Sequence, residues 1–284
     1  MSKIAIVTDT DASLPLDLAN RYNITQVPII VLFGEDSYRD VFDITGKETF
    51  ARIDREGALP TTSAPSPGQF AEAYQAAFDA GADSVLCFTV SGEVSATYAA
   101  AVSARDMHPD RDITVVDTRS LSLGQGLMVL SAAEAVAGGS SVDEAVTTAM
   151  DIGQRSHLFA ALPTLKYIAM SGRVGHLAAG VAGLLSIKPI LTIRDGKLDL
   201  LERIRTQKKS WERVVALCKE AVGERPIERM AMIHVNALAD ARQLETMLRA
   251  ELDCPAEMLF SDMNPGLSIH AGAGLVGVVF VTGK

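Results

Sequence analysis

Apolar positions along the chain switch between two spacings. Residues 3–8 enclose a short apolar run, Ile4-Ala5-Ile6-Val7, of the kind that makes a buried strand, and the segment ends at Asp9-Thr10-Asp11. Ser13 stands where an N-cap would, with Pro15 in the first turn of a short helix. Residues 24–33 read as one β-rich run. Ser66-Pro67-Gly68-Gln69 has capping-box spacing with Pro at the first helical position, and Phe70, Tyr74, Ala77 and Phe78 then recur at helical intervals until Gly81. Residues 84–90 and 113–116 predict further strands, each followed by a helical segment. This alternation predicts an α/β domain with a doubly wound, mostly parallel sheet whose ligands sit at the carboxyl ends of the strands.

The second half has a different pattern. Ser141-Val142-Asp143-Glu144 is another capping box and opens a helix to about residue 154. Residues 186–194 and 197–203 flank Asp195-Gly196, the dipeptide favoured in two-residue hairpins. An antiparallel hairpin does not continue a β-α-β series, so a boundary is expected within residues 155–165. The expected division is an N-terminal α/β domain (1–160) and a C-terminal α+β domain (161–284). A helix over 211–222, a strand over 230–235, a helix over 238–252 and strands near 256–260 and 276–282 complete the second domain. No internal repeat is visible.

Composition narrows the function classes. The 284 residues are 48% apolar and 21% charged, enough core for two modest domains and inconsistent with a disordered chain. A net charge of −9 with 5% aromatics leaves neither the basic stripe nor the stacking platforms that nucleic acids require, so no nucleic-acid partner is expected. Cys87, Cys218 and Cys254 are too scattered for a disulfide framework and point to a reducing compartment. The opening MSKIAIVTDTD reaches an acidic residue before a signal-type apolar region could form, and no later stretch is long and apolar enough to span a membrane. The expected location is the cytoplasm.

Four segments carry candidate chemistry. Residues 60–67 place Thr61, Thr62 and Ser63 among three prolines before a helix start, a donor-rich loop suited to an anion; the plain alternative is a capped connector. Ser95, in the 91–98 segment after a strand, stands near a helix start that favours a carboxylate or phosphate, or else serves as an ordinary N-cap. Residues 269–277 contain G-x-G-x-x-G beside His270, but no helix or acidic partner follows as a dinucleotide fingerprint requires. The glycines instead let the backbone pass close to a neighbour of His270. Arg173, between Gly172 and Val174-Gly175, has room to grip an oxyanion, as do Arg203 and Arg205 after the hairpin; the alternative is a surface arginine. No P-loop, nucleophile elbow or metal-type Cys/His spacing is present, and His108, His157, His176 and His234 read as structural. No cofactor and no metal are expected.

In order along the chain, Thr8-Asp9-Thr10, residues 60–67 (compare P-T-T-S-Q-P-S), Ser95–Tyr98 (S-G-T-Y), Val116-Asp117-Thr118 with Gly124 and Gly126, residues 165–173 (L-x-Y-L-x-x-G-G/S-R), Lys188-Pro189-Ile190-Leu191 and residues 270–274 (H-T-G-P-G) resemble the motifs of the DegV family. These are bacterial fatty-acid-binding proteins that include the FakB-type lipid-carrying subunit of fatty acid kinase. The resemblance implies a two-domain α/β protein holding one long-chain fatty acid, such as palmitate, stearate or oleate, in an apolar tunnel between the domains. Thr62 and Ser95 would hold the carboxylate, with His270 nearby. The chain itself would be a carrier, not an enzyme. A separate kinase subunit would phosphorylate the carboxylate with ATP, Arg173 and by extension Arg205 would meet the phosphate or the kinase, and the acyl phosphate would enter phospholipid synthesis, with peripheral membrane contact for lipid exchange. This sequence departs from the pattern at Ala96 (Gly in the family), Ala271 (Thr) and Ala273 (Pro), and Glu93 would repel a carboxylate at Ser95 unless it points away. The rival readings are a serine hydrolase using Ser95, His270 and Asp9, and a binder of another anionic metabolite.

Overall fold

The short apolar runs of the first half become strands whose two faces are both covered. In the computed structural model, which describes residues 3–171 and 187–284, β1 (Ile4–Asp9) leads through a 3-10 turn (Thr10–Ala12) to α1 (Leu16–Arg21) and β2 (Ile24–Val27). There follow β3 (Ile30–Phe33), β4 (Asp36–Arg39), α2 (Gly46–Glu56), β5 (Thr61–Ser63), α3 (Pro67–Asp79), β6 (Ser84–Thr89), α4 (Thr97–Asp106), β7 (Asp112–Asp117), α5 (Leu123–Ala137) and α6 (Val142–Arg155). Strands in the order β2-β1-β6-β7 form a wholly parallel sheet. Val7, Val85 and Cys87 share a core with Phe70 and Tyr74 of α3 and with Ala100 and Ala104 of α4. Side chains alternate across a strand, so Leu86 and Phe88, also buried, belong to the opposite face. There α5 packs along β1 and β6.

The remaining elements are β8 (Ser156–Ala161), α7 (Lys166–Met170), β9 (Lys188–Arg194), β10 (Lys197–Ile204), α8 (Gln207–Val222), β11 (Ile227–His234), α9 (Leu238–Glu251), β12 (Leu259–Asp262), α10 (Pro265–Ala271) and β13 (Val276–Thr282). Their sheet has the order β10-β9-β8-β13-β11-β12 and is antiparallel except for the β11–β12 pair. Trp211, Val214 and Cys218 of α8 and Leu244 and Leu248 of α9 pack on Met232, Val278 and Phe280 of that sheet. The β9–β10 hairpin turns at Asp195 (φ 52°) and Gly196 (φ 80°), the two positive angles that a primed turn demands.

The chain divides into two compact units: one runs up to Asp43 and resumes over Thr62–Gln154, and the other combines Ile44–Thr61 with the described residues of Arg155–Lys284. Residues 44–61, expected in the N-terminal domain, therefore belong to the second unit, where α2 packs against α10. The boundary lies at Gln154 rather than 160 because β8 is a strand of the second sheet.

Two other expectations are corrected. The single β-run over 24–33 breaks at Pro28, which has no amide hydrogen for a ladder. Beyond it, β3 joins a small separate sheet in the order β4-β3-β5. Ser13 is not an N-cap: it adopts a left-handed conformation (φ 51°) closing the 3-10 turn, and α1 starts after Pro15 without a side-chain cap. Among the described residues, no helix is long and apolar enough to cross a membrane.

Candidate functional site

The carboxyl ends of β1, β6 and β7 bring together residues far apart in sequence. Asp9 is fully buried at the end of β1. Its Oδ1 accepts the Asp11 amide (3.0 Å), and its Oδ2 accepts the Val90 amide (2.8 Å) and Nε2 of Gln125 (3.3 Å). The same Gln125 nitrogen donates to Thr8 Oγ1 (3.0 Å), so a polar side chain in the otherwise apolar start of α5 ties that helix to β1. Burial pushes the Asp9 carboxyl up to about 6, while the bonds from Val90, Gln125 and Asp11 pull the other way.

A raised acid pKa means that ionising Asp9 works against folding. The penalty is absent below the ordinary value of 3.8, where the group is protonated in both states, and it is complete above about 6. Carbon-13 NMR of the carboxyls should show one resonance titrating near pH 6 that is missing in Asp9→Asn. The stability of the wild type relative to that variant should rise as pH falls from about 7 to about 5. A carboxyl still ionised at about pH 4 would contradict this.

The turn between β6 and α4 is held amide by amide. Val90 donates to Asp9, Ser91 to the Ser120 carbonyl (2.8 Å), Gly92 to Asp117 Oδ1 (3.2 Å) and Glu93 to Ser91 Oγ (3.3 Å). Val94 and Ser95 both donate to the Ser91 carbonyl (3.1 and 3.2 Å). The amides from 90 to 95 are thus taken up within the protein, and the half-buried Ser95 hydroxyl stands at the end of the turn, at the start of α4. Ser95 Oγ lies 2.8 Å from Thr97 Oγ1 and accepts the Thr97 amide at 3.3 Å. Glu93 is drawn toward Arg119, with Oε1 and Nη1 3.9 Å apart, which offsets the repulsion expected at Ser95. Ala96 takes φ −76°, an angle any residue adopts, so the absence of glycine there strains nothing.

Of the three consecutive hydroxyl residues, β5 singles out Thr62. Thr61 and Ser63 are exposed and Thr62 between them is half-buried, as strand alternation requires. Both arms of the next capping box are formed: Gln69 N–H donates to Ser66 Oγ (3.3 Å) and Ser66 N–H to Gln69 Oε1 (2.9 Å). Thr62 and Ser95 belong to the first unit; His270 and Arg205 belong to the second.

His270 sits in the last turn of α10, half-buried, rather than in a glycine loop. The glycines after it serve two needs: a β-carbon at Gly272 (φ +84°) would overlap the Tyr167 ring, whereas Gly274 has room beside Pro163 and is required by its φ of +90°. Tyr167 is therefore the neighbour past which the backbone runs. Ala271 is buried, whereas Ala273 is exposed. Arg205 is exposed, just before the Thr206 cap of α8. Arg173 and His176 lie outside the described residues. His157 stacks on Phe280 (5.0 Å between centroids), and Nδ1 of buried His234 accepts the Ala237 amide (3.4 Å). Among the described residues no cluster could hold a metal ion.

Both Asp9 oxygens are occupied by amide donors of the first unit. Among the described residues no imidazole bonds Asp9, which counts against it as the acid of the hydrolase reading. The roles of Asp9, Gln125, Asp117 and Thr97 are not read from sequence. Thr8-Asp9-Thr10, Ser95–Tyr98 and Val116-Asp117-Thr118 stand out as motifs and Gln125 as a polar residue between two glycines in an apolar helix, but none of them spells out these bonds.

Comparison with known proteins identifies the chain's relatives. The model of the DegV family matches residues 3–283. A DegV domain-containing protein of Caldanaerobacter subterraneus subsp. tengcongensis is 34% identical over 280 residues, covering 99% of both chains. Among solved structures, a fatty-acid-binding DegV family protein from Thermus thermophilus is 32% identical with a TM-score of 0.92, covering 99% of both chains. DegV, a fatty acid binding protein from Bacillus subtilis, is 27% identical with a TM-score of 0.89, covering 100% of both.

Proposed function

This chain belongs to the DegV family, and on that footing we propose that it binds a long-chain fatty acid and presents its carboxylate to a separate ATP-dependent kinase. The observation that carries the binding reading is the full-length likeness to a DegV protein described as binding fatty acid. The hydroxyls of Thr62 and Ser95 and the imidazole of His270 take the carboxylate. The turn at Ser95 supports this, because its amides from Val90 to Ser95 are satisfied internally and the half-buried Ser95 hydroxyl at its end can donate.

The division of work follows from magnitudes. Burying a methylene is worth about 0.8 kcal/mol, so a palmitate-length tail supplies on the order of 10 kcal/mol before ordering costs. The head group then needs only enough donors to avoid an unpaired buried charge. Neutral hydroxyls meet that need without a tight ion pair and leave a carboxylate oxygen able to attack the γ-phosphorus of ATP held by the kinase. ADP leaves, and the acyl phosphate so formed feeds phospholipid synthesis. In this reading Arg173 and Arg205 meet the phosphate or the kinase, and exchange of the lipid takes place by peripheral membrane contact.

The test is mass spectrometry of lipid released by denaturing the protein purified from cells. About one free fatty acid of long chain per protein is expected. Protein carrying none, and taking up none when offered palmitate, would refute the reading.

A further inference from the structure

The Ser95–Thr97 pair has two hydroxyl protons and one hydrogen bond between them, and burial decides which proton makes it. Thr97 is fully buried, and its hydroxyl lies 2.8 Å from Ser95 Oγ. If Ser95 donated, the Thr97 proton would be buried with no acceptor among the described residues, the costlier arrangement. If Thr97 donates, its proton is satisfied and the half-buried Ser95 keeps its own proton for the outside. Ser95 Oγ then accepts twice, from the Thr97 amide (3.3 Å) and the Thr97 hydroxyl, so no lone pair is left to accept from a ligand.

We propose that Thr97 is a positioning residue that fixes Ser95 as a pure donor, so that the site selects a ligand head group that only accepts, a carboxylate, over one that must donate. Thr97 touches no ligand; it acts through Ser95. This rests on the head-group reading above and deepens it by assigning the origin of selectivity between a fatty acid and a neutral amphiphile of equal length. Asp9, Asp117 and Ser120 hold the turn from behind through Val90, Gly92 and Ser91. They fix where Ser95 stands, whereas Thr97 fixes which way its proton points.

The experiment compares palmitate and the alcohol of equal chain length on delipidated wild type, Thr97→Val, Thr97→Ser and Ser95→Ala. Thr97→Val keeps shape and removes the hydroxyl. It is expected to weaken palmitate about 3- to 10-fold, the worth of one hydrogen bond, while the alcohol changes less than about twofold or binds better. Thr97→Ser restores the acid preference. Thr97→Ala, which makes a smaller demand on packing, should show the same split and decides the matter if the valine variant does not fold. Palmitate affinity unchanged in the valine or alanine variant, or acid and alcohol weakened alike, would overturn the positioning role. Unchanged palmitate affinity in Ser95→Ala would instead overturn the head-group reading itself, and the inference with it.

Discussion

Thr62→Ala combined with Ser95→Ala is expected to weaken long-chain fatty-acid binding by about 1–3 kcal/mol, roughly 5- to 150-fold, without abolishing it. The tail, worth on the order of 10 kcal/mol, is untouched, so residual binding should remain measurable. The head group loses two of its three proposed partners and keeps only His270, so part of the carboxylate's desolvation goes uncompensated. Ser95→Ala alone should carry the larger share, because every amide from Val90 to Ser95 already has a protein acceptor and none can step in. Titration of the delipidated variants with palmitate checks this. Affinity equal to wild type in the double variant would remove Thr62 and Ser95 from the site.

A large effect on stability is expected at Gly126, within α5, where propensity and packing disagree. Helix propensity alone predicts that Gly126→Ala stabilises the chain by about 1 kcal/mol. The packing predicts the reverse: an added β-carbon would lie 2.6 Å from the Ala12 carbonyl oxygen, 3.1 Å from Leu123 Cδ2 and 3.2 Å from Leu14 Cδ2. The first obstacle is backbone, in a turn fixed by the Ser122 amide donating to the Asp11 carbonyl (2.8 Å) and by Thr10 Oγ1 donating to Asp40 Oδ2 (2.9 Å). It cannot retreat without disturbing the loop behind Asp9. Overpacking of this kind costs about 1–3 kcal/mol and occasionally more, so the packing should win and the melting temperature should fall by several degrees. Gly153→Ala in α6 is the contrast. Its obstacle is the flexible end of Met128 (2.8 Å to Cε), which can swing aside, and a smaller loss is expected there. A higher melting temperature for Gly126→Ala would mean that α5 and the 3-10 turn do not approach as described.

Legibility in the sequence followed the distance over which each feature is encoded. The capping boxes at Ser66 and Ser141, the Asp195-Gly196 hairpin and the buried strand β6 are set by residues within a few positions of one another, and each stands where the pattern places it. The box at Thr45–Glu48 that opens α2 has the same local code but went unread. Its membership in the second unit depends on α10, more than 200 positions later, and nothing near Thr45 announces it. Only Pro28 separates the β-rich runs of β2 and β3, so pattern alone joins them. The glycines after His270 mask the short helix α10 that begins at Pro265.

The candidate site divides in the same way. Thr62, Ser95 and His270 are candidates because they stand in local motifs, whereas the bonds of Asp9 to Val90 and Gln125 span 81 and 116 positions, and the motif around Asp9 does not announce them. Thr97 stands in the same motif as Ser95, but its full burial and the 2.8 Å between the two hydroxyls are properties of the fold that the motif does not state.

The most direct measurement is a calorimetric titration of the delipidated full chain with palmitate, followed by the alcohol of equal length. The account predicts saturation at about one palmitate per chain, with the alcohol bound more weakly than the acid. No saturable uptake of palmitate, or equal affinity for acid and alcohol, would contradict a site that recognises a long-chain carboxylate.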